Sequence, residues 1–230
     1  MIFLPVVLLF MMAYFILIGG LFFFVKVGFI TLAFEKLGIP SDAVFALLMF
    51  TLIGSAINIP LKRIPGETAS AGEVAEFFGW RFRVPAAGGH SGTVIAVNVG
   101  GAIIPAALCF YLFYRWPGIV WADLMGAAVV ALIVHRTARA VKGVGITTPA
   151  LLPPIVAAAA AVLLARISGQ AGSACVIAYV AGTLGTLIGA DLTNLKKIAG
   201  LGAPVASIGG AGTFDGVFLS GVIAVLLAAF

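Results

Sequence analysis

The sequence predicts an all-α fold, a polytopic transmembrane bundle of about seven helices in a single integral membrane domain over residues 1–230. Three observations carry this. First, 63% of the chain is hydrophobic and only 9% charged, with a mean hydropathy of +1.23. Soluble domains carry roughly 25% charged residues, so no water-soluble core needs this much apolar surface. Second, the apolar runs are continuous. That suits helices, which satisfy their own backbone in lipid, and not a barrel, whose strands alternate. Third, the cations gather at the ends of those runs, where the positive-inside bias places them. The formal net charge of +5 is therefore not a nucleic-acid signal, and the bilayer is the partner that the composition implies.

The elements follow in order. Helix 1 covers residues 3–25 and ends at Lys26. It lacks a basic leader and a small-x-small cleavage site, so it is read as retained. Residues 29–37 form an interfacial helix or continue helix 1. Helix 2 spans 43–59, with Ser41 or Asp42 as N-cap and Pro60 as the stop. Residues 61–91 are the only long polar stretch, holding Lys62, Arg63, Glu67, Glu73, Glu76, Arg81 and Arg83; they suit a cytoplasmic loop or an amphipathic segment. Helix 3 spans 92–114, with a kink expected at Gly100-Gly101 and Pro105. Helix 4 spans 119–134, with Asp123 as an N-terminal capping charge and His135 and Arg136 following. Helix 5 spans 148–165, helix 6 spans 173–195 and helix 7 spans 210–230.

Charge sets the orientation. The segments after helices 2, 4 and 6 hold Lys62, Arg63, Arg81, Arg83, Arg136, Arg139, Lys142, Lys196 and Lys197. Those after helices 1, 3 and 5 hold only Lys26, Lys36, Arg115 and Arg166. The first set belongs in the cytoplasm, so the chain is expected in the plasma membrane with its N-terminus inside. Leu52-Ile53-Gly54 before Asn58, Pro60 and Lys62 also echoes Leu187-Ile188-Gly189 before Asp191, Asn194 and Lys196. That echo suggests a three-plus-one-plus-three helix repeat.

Chemistry concentrates in the last two helices. Asp191 and Asp215 each lie within a run apolar enough to span a membrane, and an intramembrane carboxylate marks a functional site by default. The charge count puts both at a similar depth near the cytoplasmic edge. Two carboxylates a few Å apart share one proton, so the pair works as base and acid at once. The base activates a water and the acid protonates a peptide carbonyl. Gly212 and Gly216, flanking Asp215, leave room for a substrate backbone beside Phe214.

Helices 6 and 7 resemble the catalytic pair of presenilin and signal peptide peptidase, the intramembrane aspartyl proteases of the Gly-x-Gly-Asp type. Gly212-Thr213-Phe214-Asp215 is similar to the second motif, with Phe214 where that family has Gly. At the first site Ala190 stands where the family has Tyr. The family's Pro-Ala-Leu motif is matched by Pro149-Ala150-Leu151 at the cytoplasmic start of helix 5, although here it precedes the aspartates. The resemblance implies catalytic roles for Asp191 and Asp215 and a substrate path past Pro149, Ala150 and Leu151. It also implies single-span membrane peptides as substrates and no cofactor. As a whole, the chain resembles a prokaryotic membrane family of unknown function that carries a Gly-Ala-Gly-x-Phe-Asp-Gly segment, here Gly210 to Gly216.

Other readings use the same residues. In a small-solute or proton-coupled carrier, Asn58, Asn98, Asp191 and Asp215 would line a midplane site between broken helices. In a purely structural reading, Asp191 caps a broken helix or pairs with Lys196 or Lys197, and Asp215 bonds to Asn98 or Thr183. Gly89-His90-Ser91-Gly92 satisfies the rhomboid Gly-x-Ser-Gly pattern. The other histidine, His135, adjoins Arg136, and a cation there disfavours the imidazolium that a serine protease must form. Cys109 and Cys175 fall in apolar runs and suit packing, and no metal spacing exists. Self-association is left open.

Overall fold

The computed structural model describes residues 12, 15–19, 27–64, 74–77, 80–83, 93–141, 145–198, 205–210 and 216–229. Residues 15–19 are helical. Helix α1 (Val27–Lys36) and helix α2 (Ser41–Ser55) meet at a bend of 117°. Gly38 sits at the bend with φ 80°, a left-handed conformation open to glycine. Pro40 then starts α2 as its N-cap residue, and neither Ser41 nor Asp42 makes a side-chain cap bond. Residues 27–36 are thus a helix distinct from α2, and its inner face enters the core. Phe34 is fully buried, with its ring 6.0 Å from Tyr179 and 6.2 Å from Phe218.

The chain is mostly helical, as expected, but three small sheets also occur among the described residues. β1 (Asn58–Ile64), β4 (Thr93–Asn98) and β7 (Val205–Ile208) form one sheet in the order β1-β4-β7. β1 and β4 are antiparallel, with Asn58 opposite Asn98. β4 and β7 are parallel, with Val94 opposite Val205 and Val97 opposite Ile208. β2 (Val74–Phe77) pairs with β3 (Trp80–Arg83), and β5 (Arg139–Val141) with β6 (Gly145–Thr147), each antiparallel.

The start of the predicted helix 3 is therefore strand β4. Thr93, Val94, Ile95 and Val97 are β-branched and favour extended backbone. Neighbours on both sides complete β4's hydrogen bonding, so it can be buried without the helical pattern. A π-helical turn (Val99–Ile103) then leads into helix α3 (Ile104–Arg115). The expected kink at Gly100-Gly101 is in fact this strand-to-helix junction. A side chain on Gly100 would strike the backbone of Thr51 and Ser55, so only glycine lets the turn lie against α2.

Helix α4 (Val120–Thr137) follows a 3-10 turn (Pro117–Ile119), and the β5–β6 hairpin leads to helix α5 (Leu152–Ile167). Pro149, Ala150 and Leu151 lie exposed just before α5. Helix α6 (Ala174–Thr186) continues through a π-helical turn (Leu187–Asp191) and a 3-10 turn (Leu192–Asn194) to the short helix α7 (Leu195–Ile198). Helix α8 (Gly216–Ala228) closes the order.

Among the described residues two stretches, Pro117–Thr137 and Ala171–Asn194, are long and apolar enough to cross a membrane, and a third exists if α1 and α2 form one bent span. The second is the centre of the bundle, packed by α3, α4, α5 and α8. α4 and α6 run in the same direction. Gly126 lies at Ala181, Val130 at Gly185, and Val134 at Gly189. Small residues at these points bring the two backbones close, as in other membrane bundles. At the other end Gly118 approaches Gln170. The turns before α4 and α6 therefore share one side of the molecule and their C-terminal ends the other, which agrees with the charge count.

The echo of residues 52–62 in 187–196 is not structural. The first leads into strand β1 and the second stays helical through the π turn. A different correspondence exists. Val97-Asn98-Val99-Gly100-Gly101 and Ala206-Ser207-Ile208-Gly209-Gly210 each run from a strand into a Gly-Gly step, and the two strands lie parallel, with Val97 opposite Ile208.

Candidate functional site

Polar groups collect where the central sheet meets the helices. Asn98 is the last residue of β4 and is fully buried. Its Nδ2 donates to the Ser55 carbonyl at 2.7 Å and to Asn58 Oδ1 at 3.1 Å. Its Oδ1 accepts from the Gly101 amide at 2.7 Å, which caps the π turn that opens toward α3. The Ser207 hydroxyl on β7 donates to the same Asn58 Oδ1. One side-chain network therefore ties β1, β4 and β7 to the end of α2.

Asp191 joins this assembly from α6. It is the last residue of the π-helical turn and is half-buried. Its Oδ2 accepts from the Gly209 amide at 2.7 Å. Gly209 directly follows β7 and has φ +82°. A side chain on Gly101 would strike the Gly209 carbonyl, so the two Gly-Gly steps touch. Asp191, Gly209, Gly101 and Asn98 thus form one continuous contact. π-Helical turns inside α-helices are frequent at functional sites because they free backbone groups and redirect side chains.

The freed carbonyls are met locally. Asn194 is buried, and its Nδ2 donates to the Gly189 and Ala190 carbonyls at 2.9 and 3.0 Å. Its Oδ1 has no partner. Thr193 Oγ1 also reaches the Gly189 carbonyl at 2.9 Å and contacts His135 Nδ1 at 2.8 Å. The end of α4 therefore braces the turn that positions Asp191. β6 packs against the same turn, placing the hairpin before Pro149, Ala150 and Leu151 beside it.

The sequence-predicted residues separate accordingly. Asn58 and Asn98 meet directly, and Asp191 reaches their cluster through Gly209. Pro149, Ala150 and Leu151 lie at the exposed start of α5, next to that hairpin. Gly216 begins α8, and a side chain there would meet nothing within 4 Å. Gly212, Phe214 and Asp215 lie outside the described residues, and so does Gly89-His90-Ser91-Gly92. Asp123 sits in the first turn of α4 as expected, but it is fully buried and its carboxylate caps nothing.

Sequence reasoning missed Ser207, Asn194 and the Gly209 amide. The Gly209-Gly210 pair was a signal for a turn, but nothing in the sequence tied it to Asp191. Among the described residues no three His, Cys, Asp or Glu side chains gather as metal ligands.

The chain belongs to a family described as "Protein of unknown function (DUF1614)", whose model matches residues 52–227. No curated protein and no solved structure matches it.

Proposed function

We propose that this member of a family without an assigned activity is an intramembrane aspartyl protease, with Asp191 and Asp215 as its dyad. One observation carries the reading. Asp191 stands on a π-helical break, and its carboxylate is held by the Gly209 amide, six residues before Asp215. Gly209 opens the stretch of sequence that leads to the second carboxylate, which supports pairing the two. In this reading one ionised carboxylate takes a proton from water as the water attacks the peptide carbonyl. The other, protonated, donates to the carbonyl oxygen, and the tetrahedral intermediate collapses with the proton passing to the leaving amine. Pro149, Ala150 and Leu151, beside the β5–β6 hairpin, guide the unwound substrate, and extended backbone pairing gives a mode of capture. Gly212, Phe214 and Gly216 shape the space around Asp215. Substrates are single-span peptides delivered through the bilayer of the plasma membrane, and no cofactor takes part.

The test is cleavage of a single-span reporter peptide by purified protein in detergent. Wild type should cleave, and Asp191→Ala and Asp215→Ala, each still folded, should not. Cleavage that survives either substitution overturns the dyad. So does a wild type inert across pH and several reporters.

A second reading has its own observation. The Asn58–Asn98–Ser207 network, beside two Gly-broken chain segments, resembles the polar site of a small-solute or proton-coupled carrier. Proton-coupled uptake into liposomes, lost on Asn98→Ala in protein shown to remain folded, would favour it.

A further inference from the structure

Helices α4 and α5 pack side by side and leave an apolar groove between them, about 380 Å³ in volume. Met125 and Val129 line it from α4, and Ile155 and Leu163 from α5, all four of them exposed. The alanine run of α5 makes the groove. Ala157, Ala158 and Ala161 are buried in the bundle, while Ala159 and Ala160 face the groove and are too short to fill the space between Ile155 and Leu163.

One end of the groove is polar. The two helices run antiparallel, since Gly118 before α4 approaches Gln170 after α5, and Gly126 approaches Leu164. Trp121 lies on the same stripe of α4 as Met125 and Val129, at spacings of four, and is exposed. Arg166 continues the α5 stripe of Ile155, Ala159 and Leu163 and is also exposed. The two glycine contacts bracket Trp121 and Arg166, so both stand at the mouth on the side that holds the turns before α4 and α6. Asp123, in the same turn of α4 as Trp121, is buried and makes no hydrogen bond, so it does not serve Arg166.

The dimensions select the occupant. From Ile155 to Leu164 the groove runs about 14 Å along α5, half of a hydrocarbon core of about 30 Å. Atoms lining an unfilled gap forfeit dispersion contacts, so lipid-facing space of this depth favours a guest. A spanning helix is apolar through both leaflets and would cover Arg166 without offering it a charge. A phospholipid is apolar over one leaflet and anionic at its head.

We propose that the α4–α5 groove binds an anionic phospholipid, with one acyl chain along Ala159 and Ala160 and the headgroup phosphate at Arg166 and Trp121. The guanidinium donates charge-assisted hydrogen bonds to the phosphate oxygens, and the indole sits at headgroup level with its N–H as a further donor. The site lies at the opposite end of α4 from His135, which braces the Asp191 turn, so the inference does not depend on the proteolytic reading.

The test is thermal unfolding of the full chain in detergent, with added phosphatidylglycerol or phosphatidylcholine of the same acyl chains. Phosphatidylglycerol should raise the wild-type Tm by about 3 °C or more, and phosphatidylcholine, whose choline neutralises its phosphate, by less. Arg166→Gln should bring the two lipids level. Arg139→Gln, an exposed cation at the other end of the bundle, should keep the wild-type preference. Ala159→Phe fills the groove with its own ring and should lose most of the response to both lipids. A wild type indifferent to the headgroup, or Arg166→Gln and Ala159→Phe responding as wild type does, overturns the site. So does a dimer that Ala159→Phe dissociates, since that gives the groove to a second copy. Should Ala159→Phe fail to fold, wild type is photolysed with phosphatidylglycerol carrying a diazirine in its acyl chain, and the adducts are located by mass spectrometry. Adducts concentrated on the groove residues, and suppressed more by unlabelled phosphatidylglycerol than by phosphatidylcholine, support the site. Adducts spread evenly over the lipid-facing helices overturn it.

Discussion

The Asp191 carboxylate accepts a hydrogen bond from the Gly209 amide at 2.7 Å, joining the end of the central helix to the turn after β7. Eighteen residues separate the two in sequence. The bond needs two local irregularities at once. The π-helical turn redirects Asp191 away from the α-helical path, and the positive φ of Gly209 aims its N–H back at the carboxylate. Each irregularity is unfavourable alone, and strain of this kind persists where surrounding structure over-determines it.

Gly209→Ala should therefore break the junction. Its φ of +82° disfavours any side chain, and a Cβ would lie 2.7 Å from the Ala102 amide nitrogen. A loss of about 1–3 kcal/mol is expected, lowering Tm by several degrees in detergent. Gly216→Ala is the contrasting substitution, since a Cβ there meets nothing within 4 Å and alanine suits a helix start better than glycine. Its Tm should be unchanged or slightly higher. Under the proteolytic reading its reporter cleavage should still fall, because backbone access beside Asp215 narrows. Equal Tm values for the two variants would sink the account of Gly209.

Asn98→Ala should cost about 2–4 kcal/mol, because it strips hydrogen bonds from a buried amide and a buried carbonyl together. Gly101 N–H loses its cap, and the Ser55 carbonyl loses its donor. Asn98→Asp should be worse, since a carboxylate would face the Ser55 carbonyl and Asn58 Oδ1, both acceptors. Thermal unfolding monitored by size-exclusion fluorescence ranks the three proteins. If Asn98→Asp is the more stable variant, the assigned amide orientation is wrong.

These residues also show where sequence reading stopped. The apolar runs located α4, α5 and α6 to within a few residues, because a span in lipid must satisfy its backbone internally, whereas the last helix, expected from residue 210, is Gly216–Ala228 and Gly209-Gly210 form a turn. Asp191 stood out in the sequence as a candidate because a carboxylate in such a run is rare. Strand β4 was not legible. Six residues rich in Val and Ile beside Gly-Gly fit either a kinked helix or a strand, and the choice depends on β1 and β7, which lie far away in sequence. Asn194 was hidden for a similar reason. Its role exists only because the helix above it widens into a π turn, and no residue pattern announces that.

The shared direction of α4 and α6 fixes which of their ends lie together, and the charge count predicts which of those sides is cytoplasmic. Arg63 and Arg139 are exposed and belong to the cation-rich set, whereas Arg115 and Arg166 are exposed near the turns before α4 and α6. Single cysteines at 63 and 139 should react with an impermeant maleimide only in inverted vesicles, and those at 115 and 166 only in right-side-out ones. Cys109 is buried and Cys175 half-buried, so a Cys175→Ala background keeps the reading clean. The reverse pattern would overturn the cytoplasmic placement of Asp191. Labels at 139 and 166 on the same side would contradict the path of α5.

Asn194 gives the most specific test of how Asp191 is held. Its Nδ2 serves two carbonyls, Gly189 and Ala190, that sit immediately before the carboxylate. In Asn194→Ala both lose that donor, although Thr193 still serves Gly189, so the Ala190 carbonyl suffers most. A loss of about 1–3 kcal/mol is expected, confined to the turn rather than spread through the bundle. Hydrogen exchange should accelerate at residues 192–195 while α4 and α5 keep their protection. Under the proteolytic reading, cleavage should fall more than global stability does, because the carboxylate loses its fixed direction while the helices stay packed. Asn194→Asp should be worse on both counts, since its oxygens would face the two carbonyls. Unchanged exchange in Asn194→Ala would mean that the π turn is held by Thr193, His135 and the α4 contact alone, and that Asn194 does not position Asp191.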